Sequence, residues 1–128
     1  MKIEKFDRKS SLVIIPVTVK VDGNIRDFKF AVDTGASITL VNEDAIKMMG
    51  YTKADNIGIS RTITASKSET VYEYNLNNFM SLGLIRRNFR VISRVLPLGL
   101  GIDGLLGLDF FKHKELTIDF RKSEIRIN

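Results

Sequence analysis

Residues Asp33-Thr34-Gly35-Ala36-Ser37 follow the apolar run Phe28-Lys29-Phe30-Ala31-Val32 and precede Ile38-Thr39-Leu40-Val41. That order sets a carboxylate at the end of a strand with a hydroxyl and a glycine beside it. The strand fixes the direction of the acid, the threonine can hydrogen-bond across to a neighbour, and the glycine lets backbone and substrate approach closely. An aspartate that activates water needs these features. The tripeptide alone also fits a plain turn whose carboxylate caps backbone donors, so its surroundings must decide between the two.

Those surroundings include Gly104-Leu105-Leu106-Gly107-Leu108-Asp109-Phe110-Phe111, two apolar residues and a glycine running into a short helix. With this segment downstream, the Asp33 motif resembles the active-site loop of aspartic proteases, and the pair is similar to the retropepsin-like family, closer to its bacterial members. The resemblance implies that the second segment passes behind the aspartate loop and packs against it. It implies an all-β fold, a single-domain acid-protease barrel with one or two short helices spanning residues 1–128.

Only one such aspartate exists in the chain. Asp22-Gly23 and Asp103-Gly104 lack the hydroxyl residue between acid and glycine. Peptide hydrolysis by this chemistry takes two carboxylates sharing one proton, one ionised to draw a proton from water and one neutral to donate to the carbonyl oxygen. A chain of 128 residues is too short for the two-lobed form that carries both acids. The expectation is therefore a homodimer with Asp33 of each copy on the two-fold axis.

The resemblance assigns Asp33 as the catalytic residue and Thr34 and Gly35 as its support. It assigns Gly35, Ala36, Ser37, Ala65, Ser66, Leu100, Ile102 and Leu105 to substrate binding. Retroviral members carry an acidic residue where this chain has Ser37 and an arginine where it has Leu108, and the two form an ion pair. Both halves are missing here, so no buried charge is stranded. Ala36 replaces a hydroxyl that in pepsin-like enzymes can stabilise the ionised carboxylate. Its absence implies a pH optimum nearer weakly acidic or neutral than strongly acidic.

Periodicity gives mostly strands. Residues 12–21 alternate, Asp22-Gly23-Asn24 is a hairpin turn, and residues 25–32 return with Phe28, Phe30 and Val32 on one face. Asn42 is placed to cap a short helix through Met49, with Ile46 and Met49 inward and Gly50 as its stop. Residues 57–65 and 70–76 read as two strands around Ser66-Lys67-Ser68, where the family carries the mobile arm that closes over peptide. Tyr72 and Tyr74 share a face of the returning strand. Residues 79–84 and 89–96 fit two more strands, with Phe89, Val91, Ile92, Val95 and Leu96 buried. Residues 97–101 form a bend, and residues 100–104 occupy the family's pocket-wall loop. A short helix over 109–112 precedes a terminal hairpin of 116–120 and 124–127. In the family, termini of this kind pair between subunits.

Composition narrows the alternatives. Hydrophobic residues at 44% and charged residues at 27% suit a folded domain rather than a disordered or membrane-spanning chain. Cysteine is absent and His113 is the lone histidine, so neither a disulfide framework nor a metal site is expected, and serine and cysteine nucleophile schemes fail. No cofactor is implied. Glu4, Asp7 and Pro16 argue against a signal peptide, and the expected location is cytoplasmic. The net charge of +5 with Arg86, Arg87, Arg90 and Arg94 in one stretch raises nucleic acid as a partner, but no binding motif accompanies these arginines and their spacing suits a solvated strand face. Expected partners are a peptide or protein substrate and a second copy, without membrane or nucleic acid. Two other readings stay open: a catalytically inactive peptide-binding dimer, and a basic adaptor for RNA or acidic proteins.

Overall fold

The computed structural model describes residues 1–63, 68–97 and 99–128. Its strands are β1 (Lys2–Lys5), β2 (Ile14–Val21), β3 (Asn24–Val32), β4 (Leu40–Asn42), β5 (Gly58–Ile63), β6 (Ser68–Ser81), β7 (Leu84–Arg94), β8 (Gly104–Leu106), β9 (Leu116–Asp119) and β10 (Glu124–Ile127). One α-helix, α1 (Glu43–Met48), and two 3₁₀ turns (Lys53–Asp55 and Leu108–Phe111) interrupt them. The all-β class is as the sequence implies.

Asp22 and Gly23 both take positive φ, 47° and 81°, the backbone of a type I′ turn that matches strand twist. β2 and β3 therefore pair antiparallel from Ile14↔Ala31 to Val21↔Asn24. Ile15, Val17 and Val19 of β2 and Phe28 and Phe30 of β3 face the core, following the two-residue period. The larger sheet runs β2-β3-β8-β4-β7-β6-β5. A further pairing of β2 with β6, Thr18↔Met80 and Val19↔Phe79, closes it into a barrel. β1, β10 and β9 form a separate three-stranded sheet that joins the two ends of the chain.

Several elements differ from the sequence expectation. Residues 70–76 and 79–81 belong to a single 14-residue strand, β6, and residues 79–84 are not a strand of their own. The turn is Leu82-Gly83, at φ 53° and 74°. Leucine rarely adopts that conformation, so the pair reads as apolar strand. It is held there because Leu82 is buried in the core. β7 begins at Leu84 rather than at Phe89 and accommodates Asn88 at φ 50°. It ends at Arg94, leaving Val95 67% exposed instead of buried. Asn42 precedes α1 but makes no side-chain cap; its Oδ1 instead accepts from Leu96 N at 3.2 Å. Ile46 and Met49 are buried as expected, and Gly50 ends the helix at φ 91°.

Phe30, Phe79 and Phe110 are fully buried. Phe79 meets Phe30 edge-on at 5.4 Å and Phe110 at 5.7 Å, and Phe89 packs on Phe79 at 5.0 Å. This cluster ties the strand that delivers Asp33 to the 3₁₀ turn of the second motif. Gly104 sits on Phe30 so closely that a Cβ would enter the ring and lie 2.5 Å from Leu40 O.

In the smaller sheet Arg126 bridges Asp119 at 3.3 Å and Glu124 at 2.8 Å, and Lys5 of β1 adds a contact to Glu124 at 3.0 Å. The backbone N–H of Lys122 and the Arg126 guanidinium hold the Asp119 carboxyl below its ordinary value. Lys5 and then Arg126 do the same for Glu124.

Truncating Phe79 to alanine is expected to lower stability by about 3–5 kcal/mol in denaturant melts, as for other fully buried aromatics. Gly104→Ala should cost about 1–3 kcal/mol through overpacking alone. Because Asp119 and Glu124 bind protons more weakly folded than unfolded, their stabilisation is present at neutral pH and is lost as pH falls below the ordinary carboxylate range. Hydrogen exchange should show β1, β9 and β10 loosening on acidification, with Arg126→Gln flattening that dependence.

Candidate active site

Asp33 leaves β3 where the strand is gripped on both sides. Val32 pairs with Leu106 of the parallel strand β8, and Asp33 N donates to Leu106 O at 2.9 Å. The loop then turns on itself: Ala36 N donates to Asp33 O at 3.2 Å, and Gly35 N donates to Asp33 Oδ1 at 3.0 Å. Among the described residues no group donates to Oδ2. The carboxylate is half-buried, whereas Thr34 and Gly35 at the apex are exposed.

The second motif supplies the floor of this loop. Leu108 N donates to Ala36 O at 2.8 Å. A Cβ on Gly107 would lie 2.8 Å from Ala36 O and from Ile38 C, so only glycine allows the two segments to touch there. Thr39, fully buried, joins them chemically. Its Oγ1 accepts from Gly107 N at 3.0 Å and donates to Asp109 Oδ1 at 2.7 Å, while its own N–H reaches both Asp109 oxygens at 3.0 Å. Neither Thr39 nor Asp109 stands out in the sequence as part of the site. Their separation of 70 residues carries no local signal, and only the register of β8 between β3 and β4 brings them together.

Asp33, Thr34, Gly35, Ala36 and Ser37 lie on one loop with Leu105 beside it, between Ala31 of β3 and Leu40 of β4. Leu100 lines a groove of about 440 Å³ with Asp7, Ser10 and Ile14. Ile102 turns inward and is 8% exposed. Ala65 and Ser66 are outside the described residues. β5 and the first part of β6 form the base of the expected arm, paired from Gly58↔Glu73 to Ile63↔Ser68. Tyr72 and Tyr74 line a cavity of about 360 Å³ with Ile46 and Tyr51 at this base. Burial, and then Glu43, raise the Tyr74 phenol above its ordinary value.

The arginines of β7 are largely engaged. Arg90 pairs with Glu73 and Arg94 with Glu69, and Arg86 donates to Phe110 O and Lys112 O. His113 is exposed at φ 64°, and no group of three or more metal-ligating side chains occurs among the described residues.

Thr39→Val keeps the shape of the side chain but leaves Gly107 N and Asp109 without their shared hydroxyl. A loss of about 1–3 kcal/mol is expected in denaturant unfolding, with Thr39→Ser recovering most of it.

The aspartyl protease family profile matches residues 17–110. A comparison with curated protein sequences finds no significant match. Among solved structures, a retropepsin-like aspartic protease from Rickettsia conorii superposes with TM-score 0.71 at 21% identity, covering 96% of this chain and 86% of that one. The retroviral protease-like domain of Ddi1 from Leishmania major superposes with TM-score 0.56 at 13% identity, covering 92% and 91%. With the profile running from the core of β2 through both loop motifs, the chain belongs to the aspartyl protease family.

Proposed function

We propose that the protein is an aspartic endopeptidase that acts as a homodimer, each copy contributing Asp33. The observation that carries this reading is the Asp33 loop itself: a residue whose backbone N–H is held by Leu106 O and whose carboxylate accepts from Gly35 N, with one oxygen unengaged among the described residues, beneath an exposed Thr34-Gly35 apex. One such loop is half of a proton-sharing pair. Two meeting on a two-fold axis hold a single proton between them and titrate as a unit.

In that assembly the ionised Asp33 takes a proton from a bridging water, whose oxygen bonds to the peptide carbonyl carbon. The neutral Asp33 of the partner gives its proton to the carbonyl oxygen. The resulting diol collapses as the C–N bond breaks: one of its hydroxyl protons returns to the partner's carboxylate while the other carboxyl gives its proton to the departing nitrogen. Thr34 reaches across to the opposite loop and fixes the separation, and Gly35 leaves room for the peptide backbone. Ala36 and Ser37 extend the floor under the substrate. The apolar Leu105 beside the loop favours apolar substrate side chains.

Incubation with an unbiased peptide library should give cleavage by the wild type that falls by at least about 10³-fold in Asp33→Asn, the scale on which losing such a group acts. Sedimentation should show the active species at dimer mass. Cleavage that survives in Asp33→Asn, or activity carried by monomer alone, would refute the shared site. Peptide binding without cleavage by the wild type would identify an inactive peptide-binding dimer.

A further inference from the structure

Arg86, Arg87, Arg90, Lys112 and His113 line a groove of about 540 Å³ into which Ser37 and Ile38 of the aspartate loop also open. Its one carboxylate, Asp109, is held by Thr39. The basic groups divide into two sets. Arg86 is tied to the carbonyls of Phe110 and Lys112, and Arg90 to Glu73. Arg87 and Lys112 are exposed, and no carboxylate pairs with either among the described residues. The groove therefore has a fixed basic wall and two cations available to a ligand.

Its position relative to Asp33 is bounded by the chain. Ser37 lies four positions after Asp33, a reach of at most about 14 Å, and an extended peptide covers that length in about four residues. Resting on the reading of Asp33 as the hydrolytic residue, we infer that this groove selects substrates carrying Asp or Glu about three to five residues from the scissile bond. Arginine presents a donor fork that matches a carboxylate, and the two-fold axis places one such groove at each end of the cleft. Acidic flanks on either side of an apolar core are then the preferred substrate class.

The test compares two peptides with the same apolar core, one flanked by glutamates at those positions and one by glutamines. The wild type should cleave the acidic peptide with the lower KM and a similar kcat, and salt near 1 M, where screening shortens to about 3 Å, should abolish the difference. Arg87→Glu, and separately Lys112→Glu, should raise KM for the acidic peptide about fivefold or more while changing the glutamine peptide less than twofold. Equal effects on both peptides, or no acidic preference in an enzyme that cleaves the core, would overturn the inference and leave the peptidase reading intact. No cleavage of either peptide would count against the peptidase reading instead. In that case titration of both labelled peptides into Asp33→Asn still tests the groove, since equal affinities overturn it. A single-stranded oligonucleotide that binds this variant more tightly than the acidic peptide would assign the basic groove to nucleic acid and overturn it as well.

Discussion

The backbone of Gly107 lies so close to Ala36 and Ile38 that any side chain would force the aspartate loop away from the second motif. This close approach lets one buried threonine hydroxyl bridge Gly107 N and the Asp109 carboxylate. Without the contact the loop would hang from β3 by the Asp33 N–H alone. With it, the loop is held at its start by Leu106 O, in its middle by Leu108 N and at its end by Asp109. Asp33 is thus positioned chiefly by packed backbone, with Gly35 N the one donor to its carboxylate among the described residues.

The same construction explains why the loop apex is exposed. Thr34 and Gly35 rise above the floor that secures their neighbours, and the barrel offers them nothing further to bind. A short polar apex of this kind contributes little to the stability of the single chain. In the proposed dimer the rigid floor would present a loop already shaped, with little ordering left to do on association.

Legibility in the sequence followed the range of the interaction. The β2–β3 hairpin, α1 and the β9–β10 hairpin are announced by alternation, by Asp22-Gly23 and by Gly50, all local signals. β1, β4 and β8 are three or four residues long and exist because distant strands pair with them, so no periodicity reveals them. Leu82 hid a turn because its buried side chain stabilises a backbone that leucine avoids on its own. In the site, Asp33 and Gly107 were visible through motifs. The Thr39–Asp109 clamp was not, since its members look like an ordinary strand threonine and a first-turn acid until β8 threads between β3 and β4.

Charge is where reading from composition and reading from geometry diverge most. A net +5 with arginines bunched on one strand suggests a surface for polyanions, yet a polyanion needs cations that are free and evenly spaced. On β7 the arginines serve different ends. Arg90 and Arg94 hold β6 against β7 through Glu73 and Glu69, and Arg86 closes the carbonyl end of the 3₁₀ turn that follows Gly107. Arg86 also lies over the Phe110 ring at 5.6 Å, which couples it to the aromatic cluster behind the aspartate loop. An arginine bonded to two carbonyls and stacked on a buried ring is part of the architecture, and salt would scarcely weaken it. Beside the aspartate loop the cations left unengaged among the described residues are Arg87 and Lys112, a local pair of charges rather than a row tracking a polyanion.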